Sequence, residues 1–523
     1  MRSLRPVRVL SALLAALLLT ATLTACGESA DSSSGAPGSV GVLADGFPAG
    51  TLAYGEAVVR PDGALADNAK SVLGKLLGKA PDQVGTEIVK QLDEDSGEGL
   101  GWAEVKQFLG KRAAIGLLGV SGAVKDSSLD GLDGEAGFII EITDRGKAEA
   151  ALAKGKAVTK GTTGGTTYYE DDGTFAAVQG KRVVGGTSLA ALKRMLAAGA
   201  GGAHLSDDDR FRKAAGMAAA DPLVFVYADV RGLLDRIDAL ATGEAKTALA
   251  TVRKTLGEQR PLVAGTATFT RRAIAVDIAQ TGGKTGAGDG KANTAVAGVP
   301  ADAWLALGVS DAGKVLTDVL NQIKGLGTVD GTDINAQIEH AEQQLGINLE
   351  QDLFSWMGDL AVFARGTAEQ TLGGAVIVQS LDRDKSAKAI GEIRSVLGQA
   401  GAPAKPVTVD GAKGIAIDAG GMTILMVQQG DKVAIALGEQ AARDGLAPKG
   451  TLGDSAAFKA ASEELGGLNP TFYLDMRQLV KVAKENGDLD AESERVLNAL
   501  EAVVAGTEAE GDVQHVKAAL LVR

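Results

Sequence analysis

The chain has 523 residues, a formal net charge of −13, 45 % hydrophobic and 4 % aromatic residues, and a single cysteine. So acidic a surface repels nucleic acid and anionic lipid headgroups, which argues against either as a broad-surface partner. One cysteine excludes an intramolecular disulfide, so the fold has to rest on its hydrophobic core, expected from the composition to be Ala, Leu, Val and Ile.

Residues 1–25 read as an export signal peptide. Arg2, Arg5 and Arg8 form a positive start, and Val9 to Leu23 is an almost unbroken apolar run. That run is shorter than the roughly 20 residues that span a bilayer, and small residues follow it, the layout of a cleavable signal. The arginines are not adjacent, which favours general secretion over twin-arginine export. Removing three arginines and no acids takes the charge from −13 to −16. The lone cysteine follows at once, and Leu23-Thr24-Ala25-Cys26 resembles the bacterial lipobox: Leu, a small or polar residue, Ala or Gly, then Cys. That resemblance implies cleavage before Cys26 and a diacylglycerol on its thiol, whose thiolate sulfur is the nucleophile the attachment needs. Two acyl chains anchor stably where one binds reversibly. Residues 26–45 begin CGESADSSSGAPGSV and read as a flexible tether.

A second small, polar stretch, residues 281–298, divides the remainder into halves at 46–280 and 299–523, and the same order of elements recurs in each. Each half opens on a Pro-Ala pair and an apolar strand, PAGTLAYGEAVV from Pro48 and PADAWLALGVS from Pro300. An amphipathic helix follows, with stripes Leu65, Ala69, Val72, Leu73, Leu76 and Val315, Val319, Leu320, Ile323. A short helix then ends in LG or MG, and Asn348 with Gln351 suggests a capping box for the second copy. A strand runs into a helix at Asp144-Arg145 and Asp382-Arg383, and a meander of short strands turns at Asp172-Gly173, Gly180-Lys181, Gly420-Gly421 and Gly430-Asp431. Next come a helix carrying Phe211 or Phe458 and a strand-to-helix junction at Asp229-Val230-Arg231 or Asp475-Met476-Arg477. Each half closes on strand sequence, GTATFTRRAIAVDIAQ and VQHVKAALLVR. The fold class expected is α+β: two tandem related halves, each an antiparallel-dominated sheet with helices on one face. Val516 to Val522 is too short to stand alone, which favours two similar lobes packed together.

The Pro-Ala-Asp-Ala opener, the helix ending in LG or MG, the strand-Asp-Arg-helix unit, the QGDKVAIALG hairpin and the L-x-D-x-x-F helix together resemble the bacterial family of domain of unknown function 3352, over roughly Gly46 to Arg523. That resemblance implies no activity, substrate or catalytic residue.

No reactive constellation stands out in the sequence. His204, His340 and His515 lie in unrelated segments without metal-ligand spacing. Ser29, Ser121, Ser188, Ser310 and Ser455 each follow a glycine at two residues but lack the second glycine of a nucleophile elbow. Gly283-Lys284-Thr285 has Ile278 where a phosphate-binding loop needs its first glycine. The acidic runs Asp93-Glu94-Asp95, Asp207-Asp208-Asp209 and Asp488 to Glu494 read as solvated helix starts, with Ser206 as an N-cap, rather than as calcium loops. The apolar helix Ser188 to Ala198 belongs either to a filled core or to the wall of a lipid cavity. The expectation is a non-enzymatic lipoprotein, anchored through Cys26 to the outer face of the plasma membrane, that binds or scaffolds at the cell envelope. It needs no cofactor or metal, and its partner is an unidentified envelope protein or apolar ligand. A lipid carrier is the alternative, and an envelope hydrolase the third.

Overall fold

The computed structural model describes residues 40–80, 82–83, 105–122, 132–154, 158–256, 261–281, 293–325, 327–329, 332–367, 372–402, 404–420, 422–485 and 490–523. The export segment with Leu23, Thr24, Ala25 and Cys26, the run at Asp93 and Gly283-Lys284-Thr285 lie outside them. Contacts divide the described chain into two units, residues 40–281 with 509–515 and residues 293–508 with 516–523.

In the first unit, β1 (Ala53–Val58) leads to α1 (Gly63–Leu77), then to β2 (Leu109–Gly122), β3 (Leu132–Ile142) and α2 (Arg145–Leu152). The meander is β4 (Thr159–Thr163), β5 (Thr166–Asp171), β6 (Thr174–Gln179) and β7 (Arg182–Gly186). It is followed by α3 (Leu189–Gly199), α4 (Asp209–Met217), β8 (Val224–Asp229), α5 (Val230–Leu240), α6 (Gly243–Leu256), β9 (Leu262–Phe269) and β10 (Ala273–Thr281). The strands pair in the order β4-β5-β6-β7-β3-β2-β1-β8-β9-β10, every pair antiparallel. Between β5 and β6, Asp172 and Gly173 both take positive φ, 46° and 74°, the turn geometry that matches strand twist.

The second unit runs β11 (Ala303–Val309), α7 (Ala312–Gly325), β12 (Thr328–Val329), β13 (Thr332–Asp333), α8 (Ile334–Leu345), a π-helical turn (Leu349–Phe354), β14 (Met357–Arg365), β15 (Gly373–Ser380) and α9 (Arg383–Gln399). Then come β16 (Lys405–Val409), β17 (Ala412–Ala419), β18 (Met422–Gln429), β19 (Lys432–Leu437), α10 (Gly438–Leu446), α11 (Ala456–Glu464), β20 (Phe472–Asp475), α12 (Met476–Glu485), α13 (Ala491–Ala499), β21 (Leu500–Glu510) and β22 (Val513–Val522). Its order is β16-β17-β18-β19-β15-β14-β11-β20-β21, again antiparallel throughout.

Side-chain alternation along the strands sorts residues onto two faces. In the first unit Tyr54, Leu118, Ile139, Val184 and Phe225 share a core with α3 and α4, whereas Ile140, Val178 and Val183, one residue out of phase, pack with Ala148 and Ala151 of α2. In the second unit α9 packs with Val378 and Val433. Helices therefore lie on both faces of the sheet, not on one. A single face could not have buried both phases of the β6–β7 hairpin.

The core is chiefly Ala, Leu, Val and Ile, as the composition implies, with an aromatic cluster added in the first unit. Phe47, Tyr54, Phe211, Phe225 and Tyr227 form an edge-on cluster, with centroid separations of 5.1 Å for Phe47–Tyr54 and 5.2 Å for Phe211–Tyr227. In this cluster edge-to-face pairs add to burial. The helix at Ser188 belongs to this filled core: Leu192 and Met195 are fully buried, and a Cβ on Gly137 would lie 2.6 Å from Met195 Sδ.

Local signals fared unevenly. Asp144 and Asp382 cap α2 and α9, accepting from Lys147 N at 3.0 Å and Lys385 N at 3.0 Å. The cap of α4 is Asp208, which accepts from Arg210 N at 2.8 Å, and not Ser206, whose hydroxyl bonds His204 Nδ1 at 2.8 Å. Asn348 accepts from Gln351 N at 2.8 Å, but the reciprocal acceptor for its own N–H is Asp352 at 2.9 Å rather than Gln351. The π-helical winding moves the return partner one residue on. On α7 only Ala312, Gly313 and Leu320 are buried, and Val319 and Ile323 stay 45 % and 41 % exposed. Gly313 sets this roll, because any Cβ there would lie 2.1 Å from the Phe354 carbonyl oxygen. Finally, LEAVVAGTEAE, unmarked as a strand in the sequence, forms β21.

Candidate binding site

β2, β3 and β7 are neighbours, and at one end of them the first unit holds an open basin of about 550 Å³. Gly110 and Lys111 come from the start of β2, Glu141 to Thr143 from the end of β3, Gly180 to Arg182 from the β6–β7 turn, and Gly199 from the end of α3. The floor depends on close backbone approach. A Cβ on Gly110 would lie 2.6 Å from Glu141 Cβ, and one on Gly199 would lie 2.5 Å from Gln179 Oε1. Cross-links fix the wall: Ile142 N donates to Lys181 O at 2.9 Å, Thr143 N to Phe108 O at 2.7 Å, and Gln179 Nε2 to Leu196 O at 3.2 Å.

Three cations meet at this rim. Arg182 grips Asp45 with both terminal nitrogens, at 2.8 and 3.2 Å. Lys111 bonds Asp62 at 2.9 and 3.0 Å and holds that carboxyl below the usual range. Lys181 is exposed and has no carboxylate partner among the described residues. Glu141 is half-buried and accepts from Arg112 N at 2.9 Å. The Arg112 guanidinium instead reaches buried Glu56, which also accepts from Tyr54 Oη at 2.5 Å and Leu43 N at 3.0 Å. Burial, with Glu56 alongside, pushes the Tyr54 phenol far above its usual range. The basin can offer hydrogen bonds of both polarities and positive charge. Its one hydroxyl, on Thr143, donates to Phe108 O at 3.2 Å.

The histidines stay apart. His340 is exposed on α8 beside Gln344, His204 sits with Ser206 and Asp207, and His515 places Nδ1 2.9 Å from Asp277 Oδ1. His515 is only 13 % exposed, so it is a mostly buried partner of a carboxylate. Ser188 and Ser455 cap α3 and α11, accepting from Ala191 N at 2.9 Å and Phe458 N at 3.1 Å. Asp490 likewise caps α13, accepting from Ser493 N at 2.8 Å. Among the described residues no group of three or more His, Cys, Asp or Glu could hold a metal ion, and no helix is long and apolar enough to cross a membrane. Sequence reading missed the basin. Its signal was the tripeptide Gly-Lys-Arg, which occurs at Gly110-Lys111-Arg112 and again at Gly180-Lys181-Arg182.

A search of curated proteins finds no match. Among solved structures, crystal forms I, III and IV of TP0453 are similar at 12 %, 10 % and 9 % identity over 46 % of this chain and 77 %, 80 % and 79 % of theirs, with TM-scores of 0.26, 0.25 and 0.25. Neither fold nor activity transfers at that level. The family model described as "Protein of unknown function (DUF3352)" matches residues 104–521, from just before β2 to within β22 and leaving β1 and α1 outside. A match over so much of the chain places it: the protein belongs to the DUF3352 family.

Proposed function

We propose that the chain is a non-enzymatic lipoprotein, anchored by lipid on Cys26 to the outer face of the plasma membrane, that binds a polar ligand or envelope partner. The observation that carries the reading is the coincidence, within residues 1–39, of a basic start, a short apolar run, Leu23-Thr24-Ala25-Cys26 and a polar tether, with the only cysteine of the chain at the processing position. Residues 40–45, expected in the tether, instead join the first unit, with Leu43 and Ala44 fully buried. A basin that offers hydrogen bonds and charge but no paired nucleophile and base supports binding over hydrolysis. Dense packing around Met195 favours a filled core over a lipid carrier. The −16 charge of the processed chain speaks against nucleic acid as a partner.

The same proposal holds that the two units are diverged copies. The shared strand order supports it, as does the register: Gly55 lies between Ile115 and Val226, and Leu307 between Val362 and Phe472, in the matching three strands. Pro48 bridges His204 and Pro300 bridges Thr451.

Cys26→Ala should abolish incorporation of labelled fatty acid and leave the protein uncleaved or released to the medium. Unchanged labelling and membrane retention in that variant would refute the anchor.

A further inference from the structure

The charge pattern of the basin, taken with the reading above as a binding lipoprotein, names a ligand class. The two Gly-Lys-Arg tripeptides of the first unit bring Lys111, Lys181 and Arg182 to one end of the sheet. In the second unit the strand after the π-helical turn starts with Met357-Gly358-Asp359-Leu360, and the β18–β19 turn is Gly430-Asp431-Lys432. Opposite Lys432 stands Gln379, where Glu141 stands opposite Arg182 in the first unit. Gln379 hydrogen-bonds Asp431 and holds its carboxyl below the usual range. The second unit therefore carries Asp359 and Asp431 at the places of Lys111 and Lys181, and keeps a cation, Lys432, only at the place of Arg182. The first unit gathers three cations within a chain whose net charge is −13.

Two of the three are already neutralised, Lys111 by Asp62 and Arg182 by Asp45. Lys181 is left to meet an anion. A bare anion would also face Glu141 and would fill a small part of about 550 Å³, so the ligand has to bring hydroxyl donors for that carboxylate as well as negative charge. The lining contains no aromatic ring and one large apolar side chain, Ile142, whereas apolar ligands take predominantly hydrophobic walls. We propose that the basin binds an anionic saccharide. Its phosphate or carboxylate lies against Lys181 in a charge-assisted hydrogen bond, its hydroxyls donate to Glu141, and the one remaining Lys111 ammonium hydrogen donates to a ring or hydroxyl oxygen.

The test is titration calorimetry of the detergent-solubilised full chain at low ionic strength with glucose 6-phosphate, glucuronate, glucose and inorganic phosphate. Glucose 6-phosphate and glucuronate should bind at least tenfold more tightly than glucose or phosphate. Lys181→Asp, which installs the second unit's residue at an exposed position, should weaken both by tenfold or more with an unchanged far-ultraviolet circular dichroism spectrum. Glu141→Gln should narrow the gap between glucose 6-phosphate and inorganic phosphate, and it carries the test if Lys181→Asp perturbs the fold. A phosphate-bearing wall polysaccharide competing for the same site would identify a polymer source, and no competition a soluble one; both outcomes support the class. Glucose binding as tightly as its phosphate, or anion binding indifferent to Lys181→Asp in a folded chain, overturns it. If no saccharide binds while Cys26→Ala still loses its lipid, the ligand assignment alone has failed. Saccharide binding by a chain that is never acylated fails the anchor alone.

Discussion

At Glu56 a carboxylate is 3 % exposed and survives because three donors meet it: Arg112 Nη1 at 2.5 Å, Tyr54 Oη at 2.5 Å and Leu43 N at 3.0 Å. Taking one partner from a buried ion pair leaves the other charge uncompensated, which typically costs about 3–5 kcal/mol. Arg112→Met should therefore lower unfolding free energy in urea by about 3 kcal/mol, while the double variant Glu56→Gln, Arg112→Met should recover part of that loss. A single variant within about 0.5 kcal/mol of the parent would mean that water, not Arg112, solvates Glu56. Asp229 and Asp475 show a second residue-scale economy. Each is buried at the end of a strand, yet Asp229 is gripped by Arg210 from α4 and Asp475 by Arg477 two residues on, at 2.7 and 3.0 Å. The two carboxylates close their strands alike, and their arginines come from different elements.

At the scale of elements, helix starts decide where the chain leaves a strand. An N-cap oxygen satisfies one of the orphan amides of the first turn. For α4 that oxygen is on Asp208, two residues after the serine that the pattern Ser206 to Asp209 suggested. Asp208→Ala should cost about 1 kcal/mol and speed amide exchange in the first turn of α4, whereas Ser206→Ala should leave that exchange unchanged. Equal effects from both would restore Ser206 as the cap. The apolar stripe of α7 misled for a related reason. Periodicity finds the face of a helix but not its roll against a neighbour, and the Gly313 approach to Phe354 O turned Val319 and Ile323 outward.

For the molecule as a whole, seven residues near the C-terminus, 509–515, belong with the unit formed by residues 40–281. There Lys213 Nζ reaches Asp512 at 2.7 Å, and His515 meets Asp277 across 238 residues of chain. Because His515 and Asp277 are 13 % and 18 % exposed, their pairing should be measurable. A double-mutant cycle of His515→Ala and Asp277→Ala at pH 6 should return a coupling of about 0.5 kcal/mol or more. Additive losses would show that the contact contributes nothing.

The proposed address rests on sequence alone because export and lipidation signals are contiguous segments, so Arg2, Arg5, Arg8, the run to Leu23 and Cys26 carry that proposal without reference to any fold. Strand and helix order was readable too, since turn residues such as Asp172-Gly173 and caps such as Asp144 are local chemistry. The two-sided helix layers, the aromatic cluster around Tyr54 and the basin were decided by tertiary structure alone. Lys111, Glu141 and Lys181 become one site only when β2, β3 and β7 pair in register, and long-range register carries no local mark in the chain.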